Sequence, residues 1–306
     1  MAPAVQQAAA ETLRTAGAVA EHKEEGSAIF AELLHHVQDS HELDLPWGRI
    51  ELPMFQPFHA GGMTIDLSIT KHVVFLWLSA AVLCVVAIVA ARKNKKDPTP
   101  TGIGNLVEVF VQFIRDEIAL PNMGKQGLVY LPFLLTTFFF ILTMNLAGII
   151  PFGSTATGNI SVTAGLAAIA FVMIQFSAIR SQGLGHYLAH FTGGVHWALA
   201  PIMIPIEVIG VFTKVFALCM RLFANMTGGH IVILSFIGLI FLFKSVYVAP
   251  ASVGFALFVN LLELFVAVLQ AYVFTMLTAL FMGLGLQAGH SDGGHKSDES
   301  HDHNTH

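Results

Sequence analysis

Glu207, Lys214, Arg221, His230 and Glu263 stand inside the two longest apolar runs of this 306-residue chain, with Asn225, Asn260 and Gln270 as neutral polar companions. At membrane depth an ionisable group costs roughly 2.5–3.5 kcal/mol on insertion scales. A single such group can serve as glue between buried helices. So many together read as a route for ions or protons. Arg221 differs from the rest, because a guanidinium does not lose its proton in a protein. In a proton path it acts as an electrostatic element and cannot relay.

Helical spacing sorts these residues into faces. Glu207, Lys214 and Arg221 are seven apart, so each lags its predecessor by only about 20°. Asn225, four residues beyond Arg221, extends that face. His230 is nine residues beyond Arg221, which places it about 180° round the helix. On the following run Glu263 and Gln270 are again seven apart and share a stripe. The first run therefore carries two polar surfaces and the second carries one. This pattern suits two proton-conducting routes that reach the membrane interior from opposite sides without meeting. Plainer readings stay open for most of these residues. Glu207 and Lys214 can form a structural couple, or Lys214 can snorkel to the surface. His230, Asn225 and Gln270 can hydrogen-bond a neighbouring helix.

The elements that must hold these residues follow from composition. The chain is 55% hydrophobic and 11% charged, against about 25% charged for a soluble domain. That composition reads as an all-α polytopic membrane protein. About 20 apolar residues span a bilayer core. Val73–Ala91, Leu131–Ile150 and Ile160–Ile179 each fit one span. Two longer runs, Trp197–Phe243 and Tyr247–Gln287, follow. Straight helices of those lengths measure about 70 and 60 Å, roughly twice the core. Each run is then either a hairpin of two short spans or one steeply tilted helix. Gly228-Gly229 is the one plausible break in the first run, and no Pro or Asn-Gly turn marks a hairpin. The tilted reading is preferred, giving about five transmembrane helices. Residues 105–120 (NLVEVFVQFIRDEIAL) are amphipathic and predict a helix along the interface. Gly183–His196 predicts a loop or a short surface helix.

Several function classes are excluded. The net charge of -5 is too small to suggest a nucleic-acid partner. Cys84 and Cys219 both lie in apolar runs, which argues against a disulfide framework or a zinc site. Residues 1–26 lack a signal peptide's apolar core. No internal repeat is visible, against the inverted-repeat design of many secondary transporters. The basic cluster at 92–96 (RKNKK) contrasts with an N-terminal 70 residues holding Arg14, Lys23 and Arg49 against ten acidic residues. The positive-inside rule puts the N-terminus outside and the C-terminus in the cytoplasm. The expected organisation is a partly disordered extracytoplasmic segment (1–70), a transmembrane helical domain (71–287) and a disordered His-rich cytoplasmic tail (288–306). The tail's histidines could take nickel or zinc, although the chain as a whole is expected to hold no metal and no cofactor.

MRLFANMTGGH (220–230), followed by NLLELFVAVLQAYVFTML (260–277), closely resembles subunit a of the F-type ATP synthase. MNLAGIIPFG and GLGHYLAHF are similar to the family's span-end and loop sequences. The resemblance covers about residues 45–287. It implies that Arg221 is the stator arginine facing a carboxylate on the rotating c-ring. Asn225 would be the motif's asparagine and Gln270 the partner glutamine on the last helix. His230 and Glu263 would line the entry half-channel, with the acid and the histidine exchanged relative to some family members. Glu207 joins these as a residue of the proton path. The resemblance further implies long, tilted last helices in a bacterial plasma membrane. The implied partners are the c-ring, b-type peripheral stalk subunits, lipid and, indirectly, the F1 head. ATP chemistry would belong to other subunits, since no phosphate-loop sequence is present. The rival readings are a self-contained proton-coupled transporter and a non-conducting scaffold.

Overall fold

The computed structural model describes residues 42–45, 48–52, 58–60, 63–65, 70–96, 102–150, 155–185, 187, 200–243 and 247–288. Expectations for residues 1–41, most of the 183–196 loop and the His-rich tail lie outside the described residues. Among the described residues, five helices are long and apolar enough to cross a membrane: Lys71–Arg92, Lys125–Ile149, Ile160–Gln182, Ile202–Ile240 and Ala249–Gln287. The chain is an all-α polytopic membrane protein.

Helices α1 (Lys71–Lys96), α2 (Ile103–Phe113), α3 (Leu120–Met123), α4 (Leu131–Ile149), α5 (Ile160–Gln182), α6 (Ala200–Phe243) and α7 (Ala249–Ala288) follow in chain order. Helix α6 has 44 residues and α7 has 40, each unbroken. The hairpin alternative for the two long runs therefore fails. Gly228 and Gly229 lie inside α6, and Pro205 is carried within the same helix. At about 1.5 Å per residue both helices are about twice the roughly 30 Å hydrocarbon core.

The described chain divides into two compact units, 1–71 with 225–265 and 72–224 with 266–306. In the first, β1 (Glu42–Leu45) pairs antiparallel with β2 (Gly48–Glu51), and β3 (Phe58–Ala60) pairs antiparallel with β4 (Met63–Ile65). Periodicity did not reveal these strands, because three or four residues are too short for alternation to register. The α6 and α7 segments of this unit run antiparallel. Phe236 stacks on Phe255 with centroids 5.5 Å apart and ring planes at 12°.

In the second unit the buried positions of α4 (Leu134, Phe138, Ile141, Met144, Asn145, Gly148) recur every three or four residues. The same spacing on α7 buries Ala267, Gln270, Ala271, Phe274, Thr278 and Met282. Phe110 of α2 closes on Phe138 and Phe139 of α4 at 5.6 and 6.0 Å. Beyond α2 the chain widens into a π-helical stretch, Ile114–Ala119. Pro121 lacks an N–H and its ring crowds the carbonyl four residues earlier, which accounts for a loosened turn before it. Arg115, Asp116 and Glu117 are exposed there while Ile114, Ile118 and Ala119 are buried. Outward faces are apolar, as Trp77 at 67% exposure and Phe212 at 67% show. Several hydroxyls within the spans are satisfied locally: Thr143, Thr275 and Thr278 each donate to the carbonyl four residues back. Where water is absent, a helix offers a hydroxyl few other acceptors.

Candidate functional site

In the first unit His230 of α6 and Glu263 of α7 face one another, with Nε2 and Oε1 3.7 Å apart. The Glu263 side chain is only 4% exposed, and neither carboxyl oxygen makes a hydrogen bond among the described residues. The His230 side chain retains 25% exposure. The pair is an ion pair only when the imidazole is protonated. At 3.7 Å the two groups stand just beyond hydrogen-bond distance, so a small approach of either side chain would bring them into contact. The carboxyl is admitted by Gly229, since a Cβ there would fall 2.9 Å from Oε1. Asn225 is exposed on α6 and Asn260 half-buried on α7.

In the second unit Arg221 is half-buried on α6. Its Nη1 is buried and makes no hydrogen bond among the described residues. Gln270 on α7 is 1% exposed. Glu207 and Lys214 line one cavity of about 320 Å³ together with Tyr187, Gln175 and Gln182. The Lys214 ammonium lies 5.2 Å from the centre of the Phe281 ring, a cation–π distance. Tyr187 lies just beyond the α5 span, and its phenol is pushed above its ordinary range, by burial first and by the nearby Glu207 charge second.

Of the residues the sequence assigns to a proton path, the structure sets His230 and Glu263 side by side. Gly229 and Tyr187 were missed. By sequence the glycine pair suggests only a possible break, because its use depends on a carboxyl 34 residues away. Tyr187 carries no spacing signal that links it to Glu207. Among the described residues no cluster of three or more metal-ligating side chains occurs.

The family model for the ATP synthase A chain matches residues 73–283. The chain belongs to the ATP synthase subunit a family. It is 51% identical over 276 residues to an ATP synthase subunit a of Chloroherpeton thalassium, covering 89% of this chain and 80% of that protein. It is 47% identical over 292 residues to the ATP synthase subunit a of Myxococcus xanthus, covering 85% of this chain and 95% of that one. A subunit a of Chlorobium phaeobacteroides is 48% identical over 302 residues, covering 96% of this chain and 87% of that protein. The family match runs from the start of α1 almost to the end of α7, so it takes in all the residues of both units' sites.

Proposed function

We propose that this chain is the proton-translocating stator subunit of a rotary ATP synthase, forming two offset half-channels against a c-ring with Arg221 separating them. The observation that carries the reading is the His230–Glu263 pair, a buried carboxyl and an imidazole 3.7 Å apart in a member of this family. A proton enters from outside past this pair and neutralises a carboxylate of the ring. A neutral acid costs far less in lipid than an anion, so the ring can turn. After nearly a full revolution the acid meets the second route, on which Glu207 and its cavity stand, and releases its proton to the cytoplasm. Arg221, with Asn225 and Gln270 as polar companions, favours the ionised ring carboxylate and repels protons that would cross directly. Conduction is thereby tied to rotation.

The subunit is non-catalytic. Segment 1–70 is extracytoplasmic, 71–287 forms the membrane domain and 288–306 is cytoplasmic. The 105–120 segment lies along the interface. The partners are the c-ring, b-type stalk subunits and, indirectly, the F1 head.

The deciding experiment replaces Arg221 in membrane vesicles. Arg221→Ala should leave the complex assembled, abolish ATP-driven proton pumping and permit passive leak. Pumping at near wild-type rates would refute the reading.

A further inference from the structure

A buried polar node in the second unit lies away from the ionisable residues. The Asn145 Oδ1 accepts from the Thr157 hydroxyl at 2.9 Å, and the Asn145 Nδ2 donates to the Ala267 carbonyl at 3.4 Å. Asn145, Thr157 and Ala267 are all 0% exposed. The short turn that presents Thr157 is itself held twice. His72 of α1 places Nδ1 3.0 Å from the Thr155 carbonyl, so the imidazole donates there. Gly148 of α4 lets the Thr155 side chain close down, since any Cβ would overlap it.

The orientation of the Asn145 amide is forced. A carbonyl only accepts, so Nδ2 must face Ala267, and Oδ1 is left for the hydroxyl of Thr157. Inside α7 the Ala267 carbonyl already serves the helix ladder, and Asn145 takes its second lone pair. Gln270 lies three residues further on, within one turn of the pinned carbonyl.

We infer that Asn145 is a positioning residue: it pins α7 at the Ala267 carbonyl and so fixes the rotational setting of Gln270. This rests on the reading of Gln270 as part of the proton path. The near-isosteric change Asn145→Leu removes the donor to the Ala267 carbonyl, whereas a buried Asp is held protonated and its hydroxyl could donate there in the amide's place. Thr157→Ser keeps the hydroxyl that orients the amide.

The test uses the assembled complex in membrane vesicles, with Cys84→Ser and Cys219→Ala as background. Gln270→Cys is probed with a small maleimide, and Thr278→Cys, two turns on and equally buried, serves as the reference position. Adding Asn145→Leu should raise labelling at position 270 about fivefold, the factor for losing about 1 kcal/mol of hydrogen bonding. Position 278 should be unchanged, and Thr157→Ser should be silent. Unchanged labelling at 270, or an equal rise at both positions, overturns the inference. The reading of Gln270 is judged separately: normal proton flux in Gln270→Leu would remove it from the path and leave the labelling result standing.

Discussion

The carboxyl of Glu263 rests against the backbone of α6 at Gly229, where a Cβ would lie 2.9 Å from Oε1 and 3.0 Å from the carboxyl carbon. That approach brings the carboxyl to His230, and it depends on one missing methyl group. Gly229→Ala should therefore displace the carboxyl and weaken its pairing with His230, at little cost in stability, because the atoms that must move are the end of a flexible side chain. Proton flux in vesicles should fall while the amount of assembled complex holds. Gly165→Ala, where nothing lies within 4 Å, is the matched control. Equal flux in the two variants would show that the close approach is irrelevant to conduction.

Glu263→Gln keeps the shape of the side chain and removes its proton chemistry. Flux should drop on the order of a hundredfold, the usual scale for losing a positioned proton-transfer group. Assembly should be little changed, because the carboxyl oxygens make no hydrogen bonds among the described residues. Passive flux through the membrane sector after removal of F1 is the measurement. An unchanged rate takes Glu263 out of the path.

Arg221→Lys separates charge from geometry. A lysine keeps a positive charge but ends in a compact ammonium that can deprotonate when desolvated. Coupled ATP synthesis should stay largely lost, with less passive leak than in Arg221→Ala. Full recovery of synthesis with lysine would mean that any cation suffices.

Tyr187 should titrate above the ordinary tyrosine range near 10. Its folded-state pKa is raised, so the stability it contributes is present below the unfolded value and lost as pH rises through the folded one. Tyrosinate absorbance of the purified complex, taken as a difference against Tyr187→Phe, reports this titration. Glu207→Gln should lower the Tyr187 midpoint without restoring it fully, because burial is the larger cause. A midpoint unmoved by Glu207→Gln would show that the two groups do not sense each other.

The amino-acid sequence by itself determined the number of spans, the two unusually long runs and the faces on which the polar residues fall. Each of these depends on a one-dimensional quantity, either apolar length against bilayer thickness or residue spacing against the helical period. It also marked Arg221 as a charge that cannot be discharged. Length could not choose between a hairpin and one long helix, since both fill the same run; the unbroken course of α6 through Gly228 and Gly229 decided it. The service of Gly229 to the Glu263 carboxyl and the bond from Asn145 to a carbonyl 122 residues away were illegible beforehand. Such contacts depend on how two helices are set in depth and rotation against each other. Packing fixes that setting, and the period of a single helix carries no record of it.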